Sequence, residues 1–484
     1  MMKHLYQKGL AILMAGLLIA SLAACNGNTD STEAVGATTA TVDEATHPAA
    51  TIASSATEAT VKKLTEADIT INETIENNVG GEHAITADGE EASYSNTKVV
   101  KTGDSEQNDE ADFYGDNAAI FATNGATLDL SEMVVKTDGT HANAVFSYGE
   151  GTTVNIKDSY IETSGNCSGG LMTTGGGTMN ATNLTINTSG RSSAAIRSDR
   201  GGGTVNVDGG YYSTSGTGSP VIYSTADITV SNAEMTSSAS QGVVVEGKNS
   251  VTLNNVNLSA DNNTKNSDKS DWYQAVMIYQ SMSGDAAQGT SSFTMNGGTL
   301  TNANGDVFFV NNTATDINLT NATIVNNDTD GYFLRAAAAG WGSEGSNGGQ
   351  VSLYAKQQTI NGDMLVDDVS HLNLYLSDNS VFNGAINSDG QAGDVYVELK
   401  DGAKWTLSSD SYITSLTCDA DSIDLNGHKL YVNGQEYTAG STSTGEAIAV
   451  ISTGGSGGPG DGGTPPDKPG EGGSDHGTPP AKPD

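Results

Sequence analysis

The sequence predicts an all-β fold: a single right-handed parallel β-helix, a solenoid with three short strands per coil. Three observations predict it. A unit of about 25 residues recurs through the middle of the chain, as in "NAAIFATNGATLDL" from Asn117, "NAVFSYGEGTTVNI" from Asn143 and "SAAIRSDRGGGTVNV" from Ser193. Each unit carries a short apolar strand followed by a strand in which apolar residues alternate with polar ones, the period of a half-buried strand. Gly and Asn, the residues that tolerate positive φ, punctuate the units, and the chain holds 60 Gly. One such coil cannot bury its own inward side chains, but stacked coils bury them against each other, with neighbours about 4.8 Å apart.

The elements follow in order within each unit. The first strand is anchored by Ile120, Phe146, Leu171, Ile196, Ile222, Val245, Ile278 and Phe309, with two insertions near Asp261–Asp271 and Met282–Ser292. The second carries the pairs Leu128/Leu130, Val154/Ile156, Val205/Val207, Ile228/Val230, Val251/Leu253, Phe293/Met295 and Ile317/Leu319. A third, shorter strand follows, as in "SYIET" and "LTINT", and a turn places Thr137, Thr163, Thr188 and Thr214 in one ladder. Right-handed winding is the default for parallel crossovers. Each inward Ile, Val or Phe contributes roughly 1.5–3 kcal/mol on burial.

The flanks read differently. Residues 1–24 have a basic start (Lys3, Lys8) and an apolar run from Leu10 to Leu22, the pattern of a secretion signal and too short for a bilayer span. The run ends in "LAAC", Leu22-Ala23-Ala24-Cys25, which resembles the lipobox of bacterial lipoproteins; the resemblance implies lipidation of Cys25 and a protein anchored outside the cytoplasm, exposed at the cell surface. Residues 25–65, rich in Ser, Thr and Ala, read as a stalk, 66–440 as the β-helix, and 441–484 as a Gly/Pro-rich tail. A net charge of −37 on 484 residues argues against nucleic acid and anionic lipid as direct partners. With Cys25 lipidated, Cys167 and Cys418 remain, far apart and without a CxxC, so neither a disulfide framework nor a zinc site is expected.

"DGAKWTLSSDSYITSLTC", Asp401 to Cys418, resembles the coil near the C-terminal end of autotransporter-passenger β-helices, with Trp405 and Ser411 at matching positions. More widely, residues 66 to 440 resemble the right-handed β-helix superfamily, which includes pectate lyases, bacterial surface adhesins and polysaccharide-binding lipoproteins. That resemblance implies a ligand groove on an outward sheet face. It transfers no lyase residues.

Three of the four arginines, Arg191, Arg197 and Arg200, fall within ten residues. With Ile196 inward, Arg197 points outward. The anchor alignment then puts Arg197, Tyr223, Glu246 and Tyr279 in one outward column, with Asp199, Arg200, Lys248 and Gln280 in the adjoining turn and the two insertions as walls. Tyr faces stack on sugar rings, Arg forks hold carboxylates, and Glu and Gln bind hydroxyls. Stacked-charge neutralisation, with cross-strand pairs of roughly 0.2–1 kcal/mol each, is the competing reading of the same residues.

Other chemistry has less behind it. The seven His are scattered, with no HExxH or triad order. Glu246 with Asp199 is the carboxylate pair a hydrolase would need, and Arg197, Arg200 and Lys248 are the bases a lyase would need. Acids crowd Gly103–Asp116, where Ca²⁺ is a conceivable ligand, but EF-hand spacing is lacking. Trp341 lies in a Gly-rich loop. The Thr ladder is a single column broken by Asp138 and Ser, not the flat array of an ice-binding face. No cofactor or metal is expected. The function expected is non-catalytic, polysaccharide-binding or adhesin-like, with a polysaccharide or other extracellular ligand as partner; a lyase or hydrolase on the same strip and a structural spacer are the alternatives.

Overall fold

The structure, a computed structural model, describes residues 62–106, 108–390 and 393–450. The leader, Cys25 and most of the stalk and tail lie outside the described residues. What is described is a parallel β-solenoid. Its first sheet has 11 strands, from Ile85–Asp88 to Met364–Val366, paired in order along the axis. The second strands of successive coils stack into a second sheet, as in Thr127–Ser131, Thr153–Lys157 and Asp227–Ser231. The third strands stack alongside, as in Val134–Thr137 and Tyr160–Thr163. These pairings are parallel; among the described residues, antiparallel pairing is confined to the C-terminal end, at Tyr431↔Glu436 and Cys418↔Ser443.

The alternation in the second strands sets the core. Leu128, Val154, Met179, Val205, Ile228 and Val251 lie in register and are fully buried. The residues between them point outward. At Gly177–Thr188 and Gly203–Thr214 the second and third strands run together as one. The Thr ladder is in register as expected, but Thr137, Thr163, Thr188 and Thr214 are buried. Thr163 and Thr188 donate to the carbonyls of Ser168 and Ser193. The ladder therefore closes the coils from within and offers no face to solvent or ice.

The corner from second to third sheet is a single residue in the left-handed region. It recurs at Asn96, Glu132, Asp158, Asn183, Asn232, Asn255, Asn321 and Gln357, with Gly at 209 and 297. The Asn side chains also hydrogen-bond from coil to coil, as Asn183 Nδ2 to Asp158 Oδ1 at 2.7 Å.

Both ends of the described chain double back along the axis. Residues 62–69 lie across the third sheet: Glu66 pairs with Lys98 and Lys136, each at 2.7 Å, the Leu64 amide donates to Thr185 Oγ1, and Lys63 sits over the Tyr211 ring. Residues 443–448 lie across the second sheet. The packed unit thus reaches beyond 66–440 on both sides.

Candidate functional site

The outward face of the first sheet is covered. Four excursions fold over it: the segment with helix α1 (Asn108–Phe113), the two insertions found in the sequence, and the loop around Trp341. Trp272 packs on Phe309 at 5.5 Å between ring centres, and Trp341 on Tyr279 at 5.1 Å. On the other side of Arg197, Phe121, Phe146 and Met172 form an apolar patch with Ala118. The space left beside Trp272, Met277 and Trp341 is about 40 Å³, roughly what one or two waters need. The insertions are a roof rather than walls.

The register also differs from the sequence alignment. The inward anchors are Ile120, Val145, Leu171, Ile196, Ile222, Val243, Val276 and Phe308. Four anchors were therefore displaced by one or two residues: Phe146, Val245, Ile278 and Phe309. The outward column through Arg197 runs Phe121, Phe146, Met172, Arg197, Tyr223, Val244, Met277, Phe309 and Arg335. Glu246 and Tyr279 pair with each other one step further along their strands, in the next outward column.

Under the roof lies a buried polar cluster. Arg197 Nη2 donates to Asp199 Oδ2 at 2.8 Å, and its Nη1 is 3.8 Å from Asp112 of α1 with no hydrogen bond of its own. Asp112 also meets His141 Nδ1 at 2.9 Å. Arg200 pairs with Asp285 of the second insertion at 2.7 Å and stacks on Phe113. Tyr223 and Tyr279 both donate to Glu246 Oε2, while Gln280 Oε1 has no partner. Gln280 Nε2 donates to the carbonyls of Ser281 and Ala286. Burial raises the Asp199 pKa to about 7, with Asp285 and Asp112 adding to it against the attraction of Arg197. Burial likewise raises Glu246, against hydrogen bonds from Ser281 and the two tyrosines. Of the eight residues expected to bind ligand, only Lys248 is exposed and Arg200 half-buried; Arg197, Asp199, Tyr223, Glu246, Tyr279 and Gln280 are buried.

The arginines find their purpose here. Arg191 Nε donates to Asn266 of the first insertion at 3.0 Å. Arg335 pairs with Asp306 at 2.6 Å and lies over Trp272 of the same insertion. All four arginines pin the covering segments to the coils. Within the acidic segment Gly103–Asp116, Asp112 is spent on Arg197 and His141, and Asp104 accepts from the Thr140 amide. Asp112, His141 and Cys167 lie close together, all three buried, and Cys167 has a partner of its own.

The open polar surface is on the second sheet, and sequence reasoning missed it. Its outward residues form three axial columns. One runs Thr127, Thr153, Thr178, Thr204, Asp227 and Ser250; the third runs Ser131, Lys157, Thr182, Asp208, Ser231 and Asn254; and the middle one runs Asp129, Asn155, Asn180, Asn206, Thr229 and Thr252. Asn155, Asn180 and Asn206 each donate to the coil before, at 2.8–3.0 Å, which leaves their outer edges in a fixed orientation. A groove of about 600 Å³ runs along this face from Ser93 to Thr182, and one of about 230 Å³ continues it to Ser231. Further along, Tyr354 and Tyr375 stack in the same column, 4.9 Å apart. The signal was present in the sequence as T-x-N in "TVNI", "TMNA" and "TVNV". No protein family, curated protein or solved structure matches the chain.

Proposed function

We propose that this is a non-catalytic binding protein of the cell surface, held by a lipid at Cys25, whose second sheet tracks an extended neutral polysaccharide. The observation that carries the reading is the groove along the second sheet, lined coil after coil by Asp129, Asn155, Asn180, Asn206 and Thr229 and, beside them, by Ser131, Lys157, Thr182, Asp208 and Ser231. A coil spacing of about 4.8 Å is close to the length of one sugar ring in a chain, so each coil presents a polar pair to each sugar. Asn both accepts from and donates to hydroxyls, Asp accepts from them, and the stacked tyrosines offer apolar ring faces. Aspartates outnumber cations along the groove, which disfavours a polyanion. The resemblance to β-helices that bind polysaccharide supports the same reading. The lyase or hydrolase alternative finds less support, because Asp199 and Glu246 lie under the roof.

The test is retention of the mature chain on immobilised neutral and acidic polysaccharides, with and without Ca²⁺. The Asn155→Ala/Asn180→Ala variant should lose retention on a neutral polymer at least tenfold while unfolding at nearly the wild-type temperature. Arg197→Ala should destabilise the protein without a selective loss of retention. Retention that survives in the groove variant, or shortened polymer, would overturn the reading.

A further inference from the structure

The C-terminal segment meets the second sheet in an unusual way. Most of its hydrogen bonds there go to outward side chains, not to strand edges. After the Cys418↔Ser443 bridge, the Gly445 amide donates to Thr417 Oγ1 at 3.0 Å, and the Glu446 amide to Ser415 Oγ at 3.0 Å. The Ile448 amide donates to Asn373 Oδ1 at 2.8 Å, and its carbonyl accepts from Asn373 Nδ2 at 2.9 Å. Ser415 and Asn373 belong to one outward column, two coils apart through Tyr396. The segment therefore runs along the axis, back toward the open groove.

Exposure along that column changes where the segment lies. Thr204 and Asp227 are exposed, and Ser250, Ser292 and Asp316 half-buried, whereas Ser352, Asn373 and Tyr396 are buried. The groups that line the open groove upstream are of the same kind as those that hold the segment downstream. Contacts to its backbone amides and carbonyls do not depend on its side chains, and Glu446 and Ala447 are exposed.

We infer that residues 443–448 are an intramolecular ligand of the second-sheet track, which occupies its C-terminal end and shortens the surface open to a polymer. This rests on the reading of that face as a binding track. Releasing the segment lengthens the track by the coils of Asn373, Tyr396 and Ser415 and uncovers Tyr396 next to the Tyr354–Tyr375 stack.

Glu446→Pro/Ile448→Pro removes two of the amide donors and leaves the rest of the chain in place. Two measurements on the full mature chain test the inference. A labelled peptide of residues 441–450 should bind the double variant at least tenfold more tightly than wild type, since wild type holds its own copy of that segment. Where a neutral polysaccharide is retained by wild type, the variant should bind long chains about tenfold more tightly and short oligomers unchanged. Peptide binding without any polysaccharide binding would uphold the intramolecular ligand and sink the polysaccharide reading. A variant that unfolds at the wild-type temperature yet binds neither peptide nor polymer better than wild type would overturn the inference.

Discussion

Asp199 stands 2.8 Å from Arg197 and is 1% exposed, with Asp112 and Asp285 close enough to add their charge. Its pKa of about 7 compares with about 3.9 in an unfolded chain. Between those values the folded protein keeps a proton that the unfolded chain has released. The contribution of Asp199 to stability is therefore full below about pH 4, falls as pH rises toward 7, and levels off above it. Asp199→Asn should remove that fall. The denaturation midpoint of the variant relative to wild type should move upward from pH 5 to pH 8, and a constant difference would count against the assignment. That Arg197 points outward was legible from Ile196 alone. Its burial was not, because the covering segments are distant in sequence. A sign of them was nonetheless present: Val243–Val245, Ala275–Ile278 and Val307–Val310 are apolar without alternation, as strands buried on both faces are. The same lack of alternation removed the register, which explains why Val245, Ile278 and Phe309 were displaced while Leu171, Ile196 and Ile222 were not.

At the scale of the element, the one-residue corner between second and third sheets decides where each coil turns. Asn suits its left-handed backbone, and Gly does so without penalty, but Glu132 has φ 52° and Gln357 φ 50°. A side chain of that kind pays up to about 1–2 kcal/mol in this region. Glu132→Asn should raise stability by about 0.5–1 kcal/mol, read from chemical denaturation; the lost contact is the one Glu132 accepts from Asn96, on the exposed surface. A destabilised variant would mean that this contact outweighs the backbone. The second strands were fully legible, since one face is core and the other meets water, and each of the seven apolar pairs read from the sequence is an inward pair. The short third strands and the ladder of Thr137 to Thr214 were legible too, although spacing alone did not say that the ladder faces inward.

For the whole molecule, a solenoid gains stability coil by coil from nearest neighbours, and here the charge works against stacking. The chain carries −37 overall, and acids recur at similar places in successive coils, as at the corner residues Glu132 and Asp158. Raising ionic strength from 10 to 150 mM shortens the reach of that repulsion to about 8 Å. The unfolding temperature should therefore rise by a few degrees over that range in calorimetry or circular dichroism. A fall would show that ion pairs such as those of Glu66 outweigh the general repulsion. The fold was legible at this scale because the repeat is. The two straps were not, since neither residues 62–69 nor residues 443–448 carry the repeat, and their contacts are mostly single polar atoms reached across several coils.

The first of those straps decides how the molecule bears a load. Any pull transmitted through the residues before Lys62 enters beside Tyr211, on the flank of the solenoid, and not at the edge of its first coil. The force then acts along the strap, on Leu64 and Thr185 first and on Glu66 with its two lysines next, before it reaches the strand at Glu73–Asn77. Under tension these few polar contacts should therefore peel before any coil unwinds, which makes the segment a strain relief for the stacked coils.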